Sequence, residues 1–502
     1  MKKLLTLAVV LLALLIAMPA VAVADTHDVS PGDDIQAAID DANPGDTIVF
    51  APGTYSLSNT LNVDKSLTLT SADPLAATKP LLDGGGTLSK IIYIDADDVT
   101  IDGLEVANGT GDLIRQSGAY SGTTIRNCVV HDSSGDEGIQ LKSCTDCLVE
   151  CNLVYDVAQD GISIAEDSYN SFISNNEIHH VGSENAAIYV YDSYDMTVEC
   201  NYIHDTQAAN GVGFYYNYGG THTIANNLIV HNRWWGGKHC YDEADGSAIW
   251  IYKPRVASTY LVRHNTLDDN TPAANSCAQP GNAIYVKKRA DGVVVNVDDN
   301  IVTNHNGYGI RTWSGAVVNY SCNDLWQNTL GATDGNPVDG DGNISADPLY
   351  NADYTLGAGS PCIGAASDGT DMGRLFDECG CAPPIIEVTI DIKPGSDPNS
   401  INLKSKGRIP VAILSAEDFD APNEVNQDSL TFGPTGDEDS LAFCSPSPED
   451  VNYDGYDDLV CHFDTQSAGF ECGDEWGYLK GQTGDGVSME GSDSVRIVPC
   501  EE

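Results

Sequence analysis

Ile125-Arg126-Asn127-Cys128-Val129-Val130 returns as Val149-Glu150-Cys151-Asn152-Leu153-Val154, Ile173-Ser174-Asn175-Asn176-Glu177-Ile178, Val198-Glu199-Cys200-Asn201-Tyr202-Ile203 and Ile224-Ala225-Asn226-Asn227-Leu228-Ile229, once every 24 to 26 residues. A sixth return, Val262-Arg263-His264-Asn265-Thr266-Leu267, comes later. Between returns lies a second short segment opened by a small residue: Gly138-Ile139-Gln140-Leu141, Gly161-Ile162-Ser163-Ile164, Ala187-Ile188-Tyr189-Val190, Gly213-Phe214-Tyr215-Tyr216, Ala248-Ile249-Trp250-Ile251, Ala283-Ile284-Tyr285-Val286 and Gly309-Ile310-Arg311-Thr312. Both segments alternate apolar and polar residues over three to five positions, which is strand periodicity and too short for an amphipathic helix. A fixed period of this length marks units that cannot bury an apolar face alone and must stack. The reading is all-β: each repeat is one coil of a right-handed parallel β-helix.

Asn152, Asn176, Asn201, Asn227 and Asn265 fall in phase at one corner of successive coils. Stacked side-chain amides there would continue the backbone hydrogen-bond ladder along the axis. Ahead of the repeats, Asp34 to Ala42 reads as a short amphipathic helix with Ile35, Ala38, Ile39 and Ala42 on one side. It is placed to cover the open apolar end of the stack, which would otherwise recruit other chains.

Lys2 and Lys3 precede an apolar run from Leu4 to Met18 and then Ala22-Val23-Ala24. That is a basic n-region, an h-region and a small-residue cleavage site, so residues 1–24 read as a signal peptide and a secreted or cell-surface protein is expected. No later stretch is long and apolar enough to insert in a membrane. The 74 acidic and 24 basic residues give a formal charge of −50, which repels nucleic acid and excludes it as a partner class. Export permits disulfides among the 15 cysteines. Cys128, Cys144, Cys147 and Cys151 lie near one another, and Cys444, Cys461, Cys472 and Cys500 form a second set. Cys144-x-x-Cys147 reads as a structural disulfide or a buried ladder pair, since no second pair suggests zinc.

Asp34-Ile35-Gln36-Ala37-Ala38-Ile39, Gly45-Asp46-Thr47-Ile48-Val49 and Pro52-Gly53-Thr54-Tyr55, with Asp347-Pro348-Leu349 and Gly359-Ser360-Pro361-Cys362-Ile363-Gly364 at the far end, carry a family resemblance. They resemble exported, pectate-lyase-like right-handed β-helix proteins, including those with NosD-like repeats. The resemblance covers about residues 31–375 and implies polysaccharide lyases, glycosidases, epimerases or inactive scaffolds alike. The Asp-Asp, Gly-His-Gly and Arg-x-Lys blocks of the polygalacturonase branch are missing, so no residue role is carried over from it.

The β-helix is expected to occupy residues 25–378, followed by a linker at 379–385, with Cys362 of the β-helix region a candidate partner for a linker cysteine. Residues 386–502 lose the period, and short strands such as Val388–Ile392 and Ile409–Leu414 predict a small β-sandwich-like domain. It resembles an uncharacterised C-terminal module of exported proteins. Within it, Asp450, Asn452, Asp454, Tyr456 and Asp458 supply oxygen ligands around a glycine turn at Gly455. That spacing fits calcium held in a tight loop and resembles dockerin-like or integrin-like repeats, without the glutamate of a full EF-hand. The job of the calcium would be structural.

Because side chains alternate along a strand, the second segment is expected to present Gln140, Ser163, Tyr189, Tyr215, Trp250, Tyr285 and Arg311 outward in one column. The next column would hold Lys142, Ala165, Tyr191, Asn217, Tyr252, Lys287 and Trp313. This aromatic and basic strip is a candidate platform for an extended polysaccharide or cell-surface glycan, since sugar rings stack on flat aromatic groups. Lys142, Tyr189, Tyr191, Tyr215, Trp250, Tyr252, Tyr285, Lys287 and Trp313 are its candidate binding residues.

Just ahead of the strip stand Asp136, Glu137, Asp160 and Glu184, and Asp245 follows in an insertion that also contains Trp234, Trp235, Asp242 and Glu243. Carboxylates one or two coils apart bracket the separations used in glycoside hydrolysis, and clustering would raise one pKa to make an acid beside an ionised base. Lys253 and Arg311 instead suit a calcium-dependent polyuronate lyase or epimerase. A non-catalytic glycan-binding or surface structural protein is the third class. All three stay open at this point, with a monomer expected and no transition metal at His131, His179, His204 and His231.

Overall fold

The computed structural model describes residues 24–500 apart from 183–184, 208–209, 235–245, 273–280, 352, 377–378, 381–385, 397, 417–418, 437, 475 and 484–487. The signal segment, Glu184, Asp242, Glu243, Asp245 and most of the linker therefore lie outside the described residues. The chain divides into two compact units, 1–381 and 382–502.

The first unit is a right-handed parallel β-helix whose three long sheets hold 13, 11 and 11 strands among the described residues. One coil contributes Leu148–Glu150 to the first sheet, Leu153–Val157 to the second and Ile162–Ala165 to the third. Ile125, Val149, Ile173, Val198 and Ile224 lie in register on the first sheet and are wholly buried. The period found in the sequence is thus the length of one turn, and its apolar positions form a continuous column of core.

At the corner between the first and second sheets, Asn127, Cys151, Asn175, Cys200, Asn226, His264, Asp299 and Cys322 take φ between 52° and 64°. This left-handed conformation turns the chain sharply, and the residue that follows anchors the turn. Asn152, Asn176, Asn201, Asn227 and Asn265 form the expected ladder, each Nδ2 donating to the next coil's Oδ1 at 2.9 to 3.0 Å. The ladder continues through Asn300, Asn323 and Asn343, and Cys128 occupies its first rung with its backbone N–H on Asn152 Oδ1.

The capping helix runs Ile35–Asp41, with the Asp34 carboxylate accepting from the Ala37 N–H and Ile35 and Ile39 facing the core. Gln36 exchanges hydrogen bonds with the backbone of Asn62, in the end strand of the third sheet. The edge left open by the stack is thereby partly satisfied. The Lys65 ammonium donates to the carbonyls of Ile39, Asp40 and Ala42, closing the helix C-terminus.

After the last coil the chain runs back over the left-handed corner. Ser367 donates to Asp299, the Arg374 N–H to Thr266, the Leu375 N–H to Asn226 and the Gly380 N–H to Asn175. Cys379 is bonded to Cys200. This corrects two cysteine expectations: Cys362 is a free buried thiol beside Asp324, and Cys128 is also free and buried. Cys144 and Cys147 are joined to each other and fully buried.

The second unit contains two four-stranded sheets. One holds Val425–Gly433, Trp476–Thr483, Ser488–Ser494 and Ile386–Glu387; the other holds Ile390–Ile392, Arg408–Ile413, Leu459–Asp464 and Leu441–Cys444. Ile392, Val411, Ile413, Phe432, Phe463 and Leu479 are wholly buried in its core. The pairing within these sheets is mainly antiparallel, as expected of a sandwich-like module.

Candidate functional site on the third sheet

The outward column of the third sheet runs Asn62, Tyr93, Arg115, Gln140, Ser163, Tyr189, Gly213, Trp250, Tyr285 and Arg311. Tyr215 was expected in it but stands two residues further on, in the column of Lys142, Tyr191, Tyr252, Lys287 and Trp313. The small residue that opens this strand is Gly211, not Gly213. A Cβ on Gly213 would lie 3.2 Å from the Trp250 indole, so glycine there makes room for the larger ring. Asn217, expected outward, is buried and holds the next corner by accepting from the Ser193 N–H.

The aromatic strip differs from an open platform over its central coils. Trp250 is 8 % exposed and Tyr285 1 %, and Tyr252 is also buried, while Trp313 is 44 % exposed. Tyr189, Tyr191 and Tyr215 are half-buried. Tyr215 stacks on Trp250 at 5.5 Å and on Tyr191 at 5.6 Å, and Trp250 stacks on Tyr252 at 4.7 Å. Coils about 4.8 Å apart bring Tyr191, Tyr215 and Tyr252 over one another in one column, and Trp250 stacks on Tyr215 and Tyr252 from the other. These contacts between rings are ones the sequence pattern cannot register.

The basic residues pair with this same surface. Lys253 lies 4.3 Å over the Tyr252 ring, and Lys287 reaches the Tyr252 hydroxyl at 3.5 Å. Arg311 bonds Asp334 at 3.2 Å and covers Trp313, while Lys142 pairs with Glu166 at 2.7 Å. Arg255 pairs with Asp192 at 2.8 Å.

Among the candidate carboxylates, Asp136 and Glu137 come together with Asp112, one oxygen of each lying within 4.8 Å of the other two. Burial is the largest cause pushing the Glu137 carboxyl up to about 10, with hydrogen bonds to Asp112 and Asp136 and the charge of Asp160 adding to it. Its Oε2 is buried without a partner. The Arg115 guanidinium pairs with Asp112, and the Glu137 N–H reaches Asp112 Oδ1 at 3.3 Å. Such a group of oxygens can be relieved of its repulsion by a shared proton or by a cation.

Asp160 is the third candidate carboxylate among the described residues. It is wholly buried, and it accepts from the Asn185 N–H, the Asn185 Nδ2 and the Ala186 N–H at 3.0 to 3.1 Å. Those bonds make it a corner anchor for the next coil.

Beside Arg115 a cleft of about 490 Å³ opens on the same sheet, lined by Thr60, Asn62, Lys90, Tyr93, Arg115 and Ser117. The repeat quoted from Ile125 onward leaves these residues out. Ile92-Tyr93-Ile94 alternates as the later strands do, and that was the available signal.

His131, Tyr155, His179 and His204 form a stack on the second sheet, with ring centroids 4.7 to 5.1 Å apart. His131 is held by Glu105 and Asp132, and His204 by Glu177 and Asp205. His231 lies elsewhere, against the Tyr354 hydroxyl at 2.9 Å.

In the C-terminal loop, Asp450, Asn452 and Asp454 accept from the loop's own N–H groups at Asp454, Gly455 and Tyr456. Asp458 is wholly buried, with its oxygens on the Ser415 and Val451 N–H groups. The first three side chains cap the turn's own backbone, while Asp458 works as an anchor.

A family profile described as right handed beta helix region matches residues 90–255. No curated protein matches the sequence. Among solved structures, pectate lyase Pel9A is 13 % identical with a TM-score of 0.48, covering 71 % of this chain and 97 % of its own. An alginate lyase from a Paenibacillus species is 15 % identical with a TM-score of 0.42, covering 63 % and 99 %. A DFA-IIIase from Arthrobacter chlorophenolicus is 13 % identical with a TM-score of 0.40, covering 66 % and 96 %. None of these likenesses carries a residue role to this chain. Among the described residues no helix is long and apolar enough to cross a membrane.

Proposed function

We propose that this is an exported protein that binds a polysaccharide along the third sheet and hydrolyses it at Asp112, Asp136 and Glu137. The observation that carries the reading is Glu137, a buried carboxyl clustered with two other carboxylates, where burial and its neighbours push its pKa well up. An acid that keeps its proton at neutral pH next to an ionised partner is what glycosidic cleavage requires. Glu137 would give its proton to the glycosidic oxygen as the C1–O bond breaks. Asp136, the half-exposed member, would form the bond to C1. Water would then release the sugar, its proton going to the Glu137 carboxylate. Asp112, paired with Arg115, would hold the arrangement. The Tyr93 ring, with Lys90 and Arg115, offers a neighbouring sugar subsite.

The test is a screen of neutral and uronate polysaccharides read both for reducing ends and for the absorbance of an unsaturated product. Reducing ends alone, lowered about 10² to 10⁴-fold by Glu137→Gln, are expected. Undiminished turnover in that variant would remove Glu137 from the chemistry. A second reading, β-elimination from a uronate, draws on the Lys90 and Arg115 cations in the cleft; unsaturated ends would select it. Binding without either product would select the non-catalytic class.

A further inference from the structure

The C-terminal unit carries an outward sheet face that none of the chemistry above uses. On the strand Trp476–Thr483, Gly477 and Leu479 point inward: a Cβ on Gly477 would meet Ile392, Phe432 and Phe470, and Leu479 is wholly buried. Alternation then turns Trp476, Tyr478 and Lys480 outward. Trp476 is 49 % exposed and Tyr478 40 %. Two large aromatic rings left in water on adjacent outward positions of one strand are costly unless they serve a contact.

The polar surroundings of these rings say what that contact is. Tyr478 lines a cleft of about 530 Å³ together with Thr389, Thr435, Lys480, Glu490 and Ser492. The strand Ser488–Ser494 lies alongside, pairing Ser494 with Trp476, Ser492 with Tyr478 and Glu490 with Lys480. The loop after Gly433 closes on the other side: a Cβ on Gly436, whose φ is +80°, would lie 3.0 to 3.1 Å from Lys480 and Tyr478. Glycine is needed there for the loop to approach.

We propose that this face is a second glycan-binding site, built for an uncharged sugar chain. The two rings, about 7 Å apart along the strand, would stack on the apolar faces of successive sugar units. The hydroxyls of Thr435 and Ser492, with Lys480 and Glu490, would bond the sugar hydroxyls. The charge pattern selects the neutral class: in a chain of net −50, this cleft sets one cation opposite one anion. A polyanion would meet Glu490 without surplus positive charge, and a basic partner would meet Lys480. The binding needs no turnover and stands whether or not Glu137 is an acid.

The test uses the full chain in depletion assays on microcrystalline cellulose, chitin and insoluble α-glucan, with calcium alginate beads as the anionic counterpart. Glu137→Gln serves as a non-cleaving background, so failure of the hydrolytic reading and failure of this one are separable. Retention on at least one neutral polymer is expected, weakened at least 10-fold by Trp476→Ala and by Tyr478→Ala, and largely kept by Trp476→Phe, whose ring still stacks. Matched circular dichroism and melting curves establish that the variants are folded. No retention on any neutral polymer, retention on alginate alone, or equal retention by folded Trp476→Ala and Tyr478→Ala overturns the site.

Discussion

Glu137 must keep a proton at a pH where a free glutamate has lost it. Burial dominates the shift from 4.5 to about 10, and Asp112, Asp136 and Asp160 reinforce it. Because the folded value lies above the unfolded one, this group's favourable contribution to stability is complete below pH 4.5 and is lost as pH rises toward 10. Glu137→Gln keeps a neutral side chain of similar shape at every pH. The variant should therefore gain stability relative to the parent between pH 4 and pH 8, by more than about 1 kcal/mol. Urea denaturation at the two pH values measures it, and a difference independent of pH would contradict the buried proton. The pair Asp136-Glu137 was legible in the sequence as carboxylates ahead of the strip. Asp112 was not, because its place beside them comes from the preceding coil.

Among the elements, the asparagine ladder is the part the sequence made plainest. Asn201 Nδ2 donates to Ile173, Glu199 and Asn227, and its Oδ1 accepts from Asn176. Asn201→Ala leaves several of these groups buried without partners and should cost about 1 to 3 kcal/mol. Asn343, the half-buried last rung, should cost less on the same change, because water can replace the amide. Equal losses in chemical denaturation would mean that the ladder's burial is not what makes it stabilising. The loop Asp450–Asp458 belongs to the same scale. Three exposed oxygens there satisfy only their own backbone, and we expect calcium to raise the melting temperature of the C-terminal unit. Asp454→Ala should abolish most of that response, and an unchanged melt with chelator in the parent protein would leave a plain acidic turn.

The whole molecule depends on contacts with no sequence period. The chain after the last coil recrosses the left-handed corner from Asp299 to Asn175 and is tied to it by Cys200–Cys379, a closure spanning 179 residues. A bond closing a long loop stabilises chiefly by restricting the unfolded chain. Cys379→Ser should lower stability by about 2 to 4 kcal/mol and raise hydrogen exchange at the corner amides between Asn175 and Asn226. Unchanged exchange there would mean that the returning segment docks without its disulfide.

The sequence by itself determined the coil, its inward isoleucines and valines, the asparagine corner and the capping helix. Each of these depends on residues within one period, so their pattern repeats and can be read along the chain. Only the tertiary structure decided that Gly213 rather than Tyr215 pairs in register with Trp250, that aromatic rings pack on one another in the middle of the strip, and that Asp160 anchors a corner. It also brought Asp112 to Glu137 and Cys379 to Cys200. These outcomes depend on which side chains meet across coils 4.8 Å apart and on where the returning chain lands, and neither separation is a distance along the sequence.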